Sequence, residues 1–173
     1  HPRVRRSQRP APRPRSGLIL MPALVDNGQA AVRVDARAMA RAVERTLAAV
    51  GRRGSEVEIA VVDDAAIRRL NHTYRGVARR TDVLAFPLET PGLGGLVGQI
   101  VISAETAARQ AARLRVPLAL ELALLVTHGV LHLVGYDDRD PVEADLMHLR
   151  ERAILGQGHR RVAARLWSGL LRV

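Results

Sequence analysis

The stretch that most constrains this chain is residues 128–138, which read His-Gly-Val-Leu-His-Leu-Val-Gly-Tyr-Asp-Asp. His128 and His132 are four residues apart, so on an α-helix both imidazoles project from one face, one turn apart. Gly135 follows where a helix often ends in a left-handed residue, a conformation that glycine adopts cheaply. The chain can then turn back and bring Asp138 to the two imidazoles. This spacing predicts a three-ligand zinc site with one open coordination position.

The segment that would carry the two histidines, residues 117–134, is almost entirely apolar. At about 100° per residue, Glu121, His128 and His132 fall in one narrow stripe of that helix. Polar side chains on a buried helix are costly without partners, so the stripe predicts a shared partner. Two readings follow: a metal with Glu121 supporting a ligand, or an ordinary buried Glu–His pair. The histidine pair alone is weak evidence, because buried histidines often only bond a backbone carbonyl, but the glycine and aspartate that follow favour the metal.

One part of the proteolytic form of this motif is missing. That form has Glu directly after the first His as general base, whereas this chain has Gly129. A metallopeptidase or amide hydrolase would have to take its base from Asp137 or Glu121. If the loop at 136–141 were shifted, Asp140 or His148 could replace Asp138 as the third ligand.

Composition narrows the remaining choices. The chain has 173 residues, enough for one domain with a real core, and 47% of them are hydrophobic. It contains no cysteine, so disulfides and thiolate ligands are excluded, any metal must use nitrogen and oxygen donors, and a cytoplasmic location is favoured. No apolar run of membrane-spanning length is free of charged or polar residues, so no membrane association is expected.

The positive charge is concentrated at the start of the chain. Residues 1–16 hold six arginines, four of the nine prolines and no acid, so they account for +6 of the net charge of +10. Such a segment is typical of a disordered, dispensable tail, and residues 17–173 are expected to form a single domain. The charge is compatible with binding to a phosphate backbone but does not establish it.

The periodicity of the chain predicts interleaved strands and helices. Asp35, Asp63-Asp64 and Ser103 are N-cap candidates, residues 72–80 form a basic loop, and residues 92–95 form a flexible turn. Strands are predicted over 18–25 (with 31–34 as a second piece), 57–62, 82–87 and 98–103; helices are predicted over 36–50, 64–71, 104–115, 117–134, 141–156 and 159–171. The fold class is α/β (α+β): a single domain with a small mixed sheet of about four strands and about five helices packed against it.

Three blocks of sequence resemble a known family. They are Asn-His-Thr-Tyr-Arg at 71–75 followed by Thr-Asp-Val-Leu-Ala-Phe-Pro at 81–87, Gly-Gln-Ile-Val-Ile-Ser at 98–103, and Glu-Leu at 121–122 followed by residues 128–137. In this order they resemble the signatures N-x-x-(Y/F)-R…TDVLSFP, GDI-V-I-(S/C) and EL…HG-x-LHL-x-GYDH. These are signatures of the YbeY family, the metal-dependent endoribonucleases of bacterial ribosomal RNA maturation. The resemblance covers about residues 18–156.

The resemblance implies a zinc-dependent single-strand endoribonuclease that acts at the 3′ end of small-subunit ribosomal RNA and in ribosome quality control. It implies one zinc per chain, held by His128, His132 and Asp138, and it makes RNA and the small ribosomal subunit the expected partners. Arg75 is the expected phosphate clamp, because a guanidinium fork matches phosphate geometry. Arg79 and Arg80 are expected to attract RNA along the approach. Whether water or the 2′-hydroxyl of the RNA is the nucleophile stays open.

The chain departs from the family pattern at two positions. Asp138 stands where the family has a third histidine, and Gln99 stands where its strand has aspartate. Aspartate is an acceptable zinc ligand, but its negative charge lowers the Lewis acidity of the site. A non-catalytic ribosome-assembly factor with a weakened metal site is therefore the alternative to an enzyme. The oligomeric state is not predicted.

Overall fold

The computed structural model describes residues 23–74, 82–88, 95–158 and 166. Four strands and five helices interleave within these ranges. The strands are β1 (Ala23–Asn27), β2 (Glu56–Val62), β3 (Val83–Pro87) and β4 (Leu96–Ser103), and the helices are α1 (Ala36–Ala49), α2 (Asp64–Thr73), α3 (Ala104–Leu114), α4 (Leu118–Leu133) and α5 (Pro141–Gly158). The tail predicted at 1–16, the predicted basic loop from residue 75 onward, the predicted turn at 92–95 except Gly95, and the helix predicted at 159–171 except Leu166 lie outside the described residues.

The four strands form one mixed sheet in the order β1-β2-β4-β3. β1, β2 and β4 are parallel neighbours, whereas β3 pairs antiparallel with β4. Helix α1 joins β1 to β2, and the chain passes through α2 and β3 between β2 and β4. The predicted fold class, a small mixed sheet with helices packed against it, is confirmed.

The helix starts were predicted from capping residues, and three of them are observed. Asp35, Asp63 and Ser103 each precede a helix, and their side chains accept from the backbone N–H three residues later. These caps satisfy backbone donors that a helix start leaves without an intrahelical partner. Local sequence therefore specifies where α1, α2 and α3 begin.

One predicted strand is absent, and one predicted helix is longer than expected. Residues 31–34 are not a strand, because the Gln29 side chain takes the backbone groups of Val32: its Oε1 accepts from the N–H at 2.9 Å and its Nε2 donates to the C=O at 2.8 Å. These backbone groups are thus withdrawn from any strand pairing. The second case is α2, which continues to Thr73 and so extends into the predicted basic loop.

The strands alternate their side chains between two covered faces of the sheet. Ile59, Ile100 and Ile102 point into the main core, which α1 and α4 complete. Leu84 and Val101 point to the opposite face, where Ile67 of α2 covers them. The sheet is therefore sandwiched between helices, as expected when parallel strands are buried on both faces.

Helix α4 is the central element of the main core, and it contacts α1, α3, α5 and the sheet. Nearly all of its residues are buried, which agrees with its apolar sequence. Within the described ranges, no single helix is long and apolar enough to cross a membrane; α3 and α4 reach that length only when taken together, and they meet at a bend of 120°.

A closed polar cluster joins α2 to α3 at the ends of β2 and β4. We call it the strand-end cluster; its residues are Asp64, Ser103, Thr106 and Arg109. The Ser103 hydroxyl donates to Asp64 Oδ1 at 2.6 Å, and the Thr106 hydroxyl donates to the same oxygen at 2.5 Å. Arg109 Nη1 lies 2.8 Å from Oδ2. Burial would raise the pKa of Asp64, but these three donors lower it overall to about 2.

Candidate metal centre

The way in which α4 ends positions the backbone carbonyl of Tyr136 beside His132. Gly135 adopts φ +106°, a left-handed conformation that favours glycine. Its N–H donates to the C=O of His132 at 3.1 Å, and the N–H of Tyr136 donates to the C=O of Leu131 at 3.0 Å. This pair of bonds is the Schellman motif, and Tyr136 packs against the buried cluster that contains Leu131, a contact that often accompanies this motif. The helix therefore ends where the sequence predicted, and Tyr136 is held beside the last turn.

The Nδ1 atom of each histidine has a fixed partner. His132 Nδ1 lies 2.9 Å from the Tyr136 carbonyl oxygen, and His128 Nδ1 lies 2.6 Å from Glu151 Oε1. A carbonyl and an ionised carboxylate can only accept, so both Nδ1 atoms carry the proton. The lone pair of each neutral imidazole is consequently on Nε2.

The two Nε2 atoms and one oxygen of Asp138 converge on a common point. The Nε2 atoms are 3.0 Å apart, and Asp138 Oδ2 lies 3.7 Å from each of them. The centre of a triangle with these sides is about 2.0 Å from every corner, which is the length of a zinc–nitrogen or zinc–oxygen bond. Within the described residues, these three form a group that could hold a metal ion.

The electrostatics of this group call for a cation. Two nitrogen lone pairs and a carboxylate oxygen repel one another unless a proton or a metal lies between them. Burial would lower the pKa of His132, but the Asp138 carboxylate, the Tyr136 carbonyl and Asp137 raise it overall. The same pairing with His132 lowers the pKa of Asp138. The cluster thus attracts positive charge, and a metal would compete with a proton for it.

A short connection returns Asp138 to the histidines. Seven residues, 134–140, separate α4 from α5. Asp140 begins α5 by accepting from the N–H groups of Val142 at 2.9 Å and Glu143 at 3.2 Å, with Pro141 at the first helical position. Both ends of the connection are therefore fixed, which holds Asp138 between them.

A buried carboxylate lies behind the candidate metal-binding group of His128, His132 and Asp138. Glu151 of α5 is 0% exposed, and its Oε2 lies 3.1 Å from His148 Nδ1 while Oε1 bonds His128. Burial would raise the pKa of Glu151, but the two histidines lower it overall. The hydrogen bond that His148 donates to Glu151 raises the pKa of His148 in turn. The two histidines thus favour the ionised form of Glu151 although it is buried.

Packing against the sheet explains why position 129 is a glycine. A Cβ atom at this position would lie 2.9 Å from side-chain atoms of Ile100 on β4. The position that carries the general base in proteolytic relatives of the motif faces the sheet here, and a side chain would push α4 away from it.

The other predicted site residues fall in different places. Asp140 caps α5 and His148 bonds Glu151, so the two alternatives to Asp138 have other partners. Asp137 is paired with Arg139, whose Nε lies 2.8 Å from Oδ2, and the Arg139 hydrogen bonds lower the pKa of Asp137 to about 2. Gln99 is exposed on β4.

Four predictions stay untested by this geometry. Glu121 is buried in α4, but the carboxylate that bonds a histidine of the candidate metal group is Glu151. The predicted RNA contacts, Arg75, Arg79 and Arg80, lie outside the described residues.

Sequence reasoning missed Glu151, although the chain held a signal for it. Met147, Glu151 and Ile154 follow the i, i+4, i+7 spacing of one helix face, and all three are buried. A buried acidic residue on an apolar stripe demands partners, and His148, three residues earlier on the same helix, bonds only one of its two oxygens. The histidine pair on α4 was the available partner for the other oxygen.

Comparison with known proteins places this chain in a family. A family model described as Endoribonuclease YbeY matches residues 24–158. The chain belongs to this family, and the resemblance seen in the sequence is confirmed.

Individual relatives agree. The chain is 46% identical over 124 residues to an endoribonuclease YbeY of Anaeromyxobacter sp. (strain Fw109-5), covering 71% of this chain and 64% of that protein, which is less than two thirds of its length. It is 47% identical over 133 residues to that of Moorella thermoacetica, covering 70% and 85%, and 42% identical over 148 residues to that of Pelotomaculum thermopropionicum, covering 79% and 97%.

A solved structure shows the same fold. The solution structure of TM1509 from Thermotoga maritima matches with a TM-score of 0.52, 22% identity, and coverage of 86% of this chain and 91% of that one. At this identity the likeness concerns the fold alone.

Proposed function

We propose that this protein is a zinc-dependent endoribonuclease that cleaves single-stranded RNA during ribosomal RNA maturation. The observation that carries the proposal is the convergence of His128 Nε2, His132 Nε2 and Asp138 Oδ2 on one point, in a chain whose family is described as endoribonuclease. One zinc per chain is expected, with these three residues as its protein ligands.

The donor set fits zinc. A chain without cysteine offers no thiolate, and two imidazoles with one carboxylate are a catalytic zinc set. Three protein ligands leave one position open for substrate or water. When bound, the metal would supply Lewis acidity beside the scissile phosphodiester.

The residues of the chain have separate tasks in this proposal. Asp138 adds a negative charge to the ligand set, and the fixed Nδ1 protons of the histidines direct both lone pairs to the metal. Arg75 is proposed to clamp the phosphate with two parallel hydrogen bonds, because negative charge develops on the phosphate oxygens during cleavage. Arg79 and Arg80 are proposed to attract the RNA.

The structure offers little support for a peptidase. Its general base would have to come from Asp137 or Glu121. The pKa of Asp137 is held at about 2 by Arg139, so this carboxylate is a weak base at neutral pH. Gly129, at the usual position of the base, faces Ile100.

The wider role is proposed from the family. It comprises action at the 3′ end of small-subunit ribosomal RNA, ribosome quality control, contact with the small subunit and a cytoplasmic location. Residues 17–173 are proposed to form one domain that functions without the tail at 1–16.

Zinc content and RNA cleavage, measured together on purified protein, test the proposal. Wild-type protein prepared without chelator is expected to hold about one zinc per chain and to cleave single-stranded RNA, and His128→Ala and His132→Ala should lose both. His72→Ala is the matched control, because His72 is an exposed histidine on α2. Less than about a tenth of an equivalent of zinc in the wild type would contradict the enzyme and favour a non-catalytic assembly factor.

Arg75→Lys separates the clamp from general attraction. This variant should keep its zinc but lose most of its RNA cleavage, because a point charge cannot reproduce a planar two-donor fork. Arg68→Lys, at an exposed position of α2, is the control. Cleavage at the wild-type rate by Arg75→Lys would remove Arg75 from the proposed site.

A further inference from the structure

Glu151 connects the proposed metal ligand His128 to a third histidine. Its two carboxylate oxygens are divided between them: Oε1 lies 2.6 Å from His128 Nδ1 and Oε2 lies 3.1 Å from His148 Nδ1. We call this arrangement the His–Glu–His chain. The Glu151 and His128 side chains are 0% and 3% exposed, so solvent does not screen their contact.

The contact fixes the tautomer of His128. A neutral imidazole carries one N–H, and an ionised carboxylate can only accept, so Glu151 selects the Nδ1–H form. The lone pair is then on Nε2, which faces His132 and Asp138. In the other tautomer the Nε2–H would point into the proposed metal position, and His128 could not bind there.

The two ligand histidines are held differently. The acceptor for His132 is the backbone carbonyl of Tyr136, which any side chain at position 136 would leave in place. The acceptor for His128 is a side chain, and it carries a full negative charge that a carbonyl lacks. A hydrogen bond to a charged acceptor orients the ligand imidazole more strongly than one to a neutral acceptor does. Glu151 is therefore the supporting contact that substitution can remove.

His148 holds the other end of the carboxylate. A buried carboxylate with one unbonded oxygen would be costly, and the Nδ1–H of His148 satisfies that oxygen. His148 is 18% exposed, so the chain runs from the buried ligand toward the surface of α5. Loss of His148 would leave Glu151 less firmly oriented while keeping its charge.

We propose that Glu151 is a positioning residue for the metal, fixing His128 in its ligating tautomer, and that His148 holds Glu151 in place. This inference rests on the proposed metal site. The competing explanation is that the His–Glu–His chain only fastens α5 to α4, in which case it would affect folding stability and leave metal affinity unchanged.

Zinc affinity of the full-length protein, measured by competition with a chromophoric chelator, tests the inference. Glu151→Met removes charge and acceptor at similar volume and should weaken zinc binding roughly 10- to 100-fold, the range typical for loss of such partners. Glu151→Gln, which keeps an acceptor oxygen, and His148→Gln should each weaken it by less than Glu151→Met. Glu143→Met, at an exposed glutamate on the same helix, is the control and should stay within about twofold of the wild type.

Nitrogen-15 NMR of the imidazole rings in chelator-treated protein gives a second measurement, the tautomer of His128. If Glu151 only fastened α5 to α4, this tautomer would not change on its substitution. His128 should be Nδ1-protonated in the wild type and shift toward the Nε2–H form in Glu151→Met. A folded Glu151→Met with unchanged zinc affinity and an unchanged His128 tautomer would overturn the inference. If that variant does not fold, the same two results in Glu151→Gln and His148→Gln decide. If the wild type binds no zinc, the zinc part of the proposed function fails, and the inference that Glu151 positions a metal fails with it. This outcome is recognised by a folded wild type that shows the predicted His128 tautomer but holds no zinc.

Discussion

Two carboxylates in this molecule each accept hydrogen bonds on both oxygens and link two helices, yet they serve different ends. Asp64 joins α2 to α3 in the strand-end cluster, and Glu151 joins α5 to α4 in the His–Glu–His chain. The strand-end cluster lies at the carboxyl ends of parallel strands, where α/β proteins often place ligand sites. The proposed metal centre lies elsewhere, at the end of α4.

The two carboxylates differ in whether their hydrogen-bond partners have a further atom that could bind a metal. The Asp64 oxygens receive hydroxyl and guanidinium donors, and none of these groups is a metal ligand of choice. The first partner of Glu151 is an imidazole with a second nitrogen, which is directed at His132 and Asp138. A hydrogen-bond network supports a binding site when its members keep an unused donor or acceptor aimed at a common point.

The largest expected effect comes from removing a ligand of the proposed metal centre. Asp138→Ala removes one of three proposed ligands and should weaken zinc affinity by at least about 100-fold, whereas Asp138→His should retain zinc, because imidazole can replace the carboxylate. Chelator competition measures both. Asp64→Ala is the matched control and should stay near wild type; equal losses in Asp138→Ala and Asp64→Ala would mean that the two regions are not distinct.

The next effect breaks the strand-end cluster. Asp64→Ala leaves two hydroxyls and a guanidinium without their acceptor and should lower the free energy of unfolding by about 1–3 kcal/mol, as measured by urea denaturation. Zinc content should not change. A loss of zinc in a folded Asp64→Ala protein would show that α2 and α3 help to shape the metal centre.

A smaller effect is expected on the pH dependence of stability, which should differ between the strand-end cluster and the His–Glu–His chain. The folded pKa of Asp64 is about 2, below its ordinary 3.8, so its contribution to stability is present above that ordinary value and is lost as the pH falls toward 2. The pKa of His148 is raised above 6.5, so its contribution is complete below that value and is lost as the pH rises through the folded pKa.

Unfolding free energies of chelator-treated protein across pH test this contrast. The difference in unfolding free energy between wild type and Asp64→Asn should become smaller as the pH falls. The difference between wild type and His148→Gln should become smaller as the pH rises. Two differences that become smaller in the same direction of pH would contradict the opposite assignments.

The smallest expected effect concerns the outer edge of the strand-end cluster. The Arg109 side chain is 61% exposed, so its ion pair with Asp64 is screened by water. Arg109→Ala should cost less than about 1 kcal/mol in urea denaturation. A larger cost would mean that Arg109 orders the two hydroxyl donors as well.

Local sequence was sufficient for features set by neighbours along the chain. The spacing of His128 and His132, the left-handed turn at Gly135 and the caps at Asp35, Asp63 and Ser103 all depend on contacts within about one helical turn. The same spacing predicted that Asp138 would return to the histidines, and the structure brings these three residues together. Helix geometry is fixed by a few residues, so a short pattern determines it.

Only the tertiary structure decided which groups meet across the chain. Glu151 lies 23 residues after His128, and its role depends on how α5 packs against α4. The sequence favoured Glu121 for that role because it shares a helical stripe with the histidines, but a stripe gives direction on one helix and not the identity of the neighbouring helix. The reason for Gly129 is likewise a distance to Ile100 on another element. Such contacts depend on the free energy of packing the whole core, which no local pattern contains.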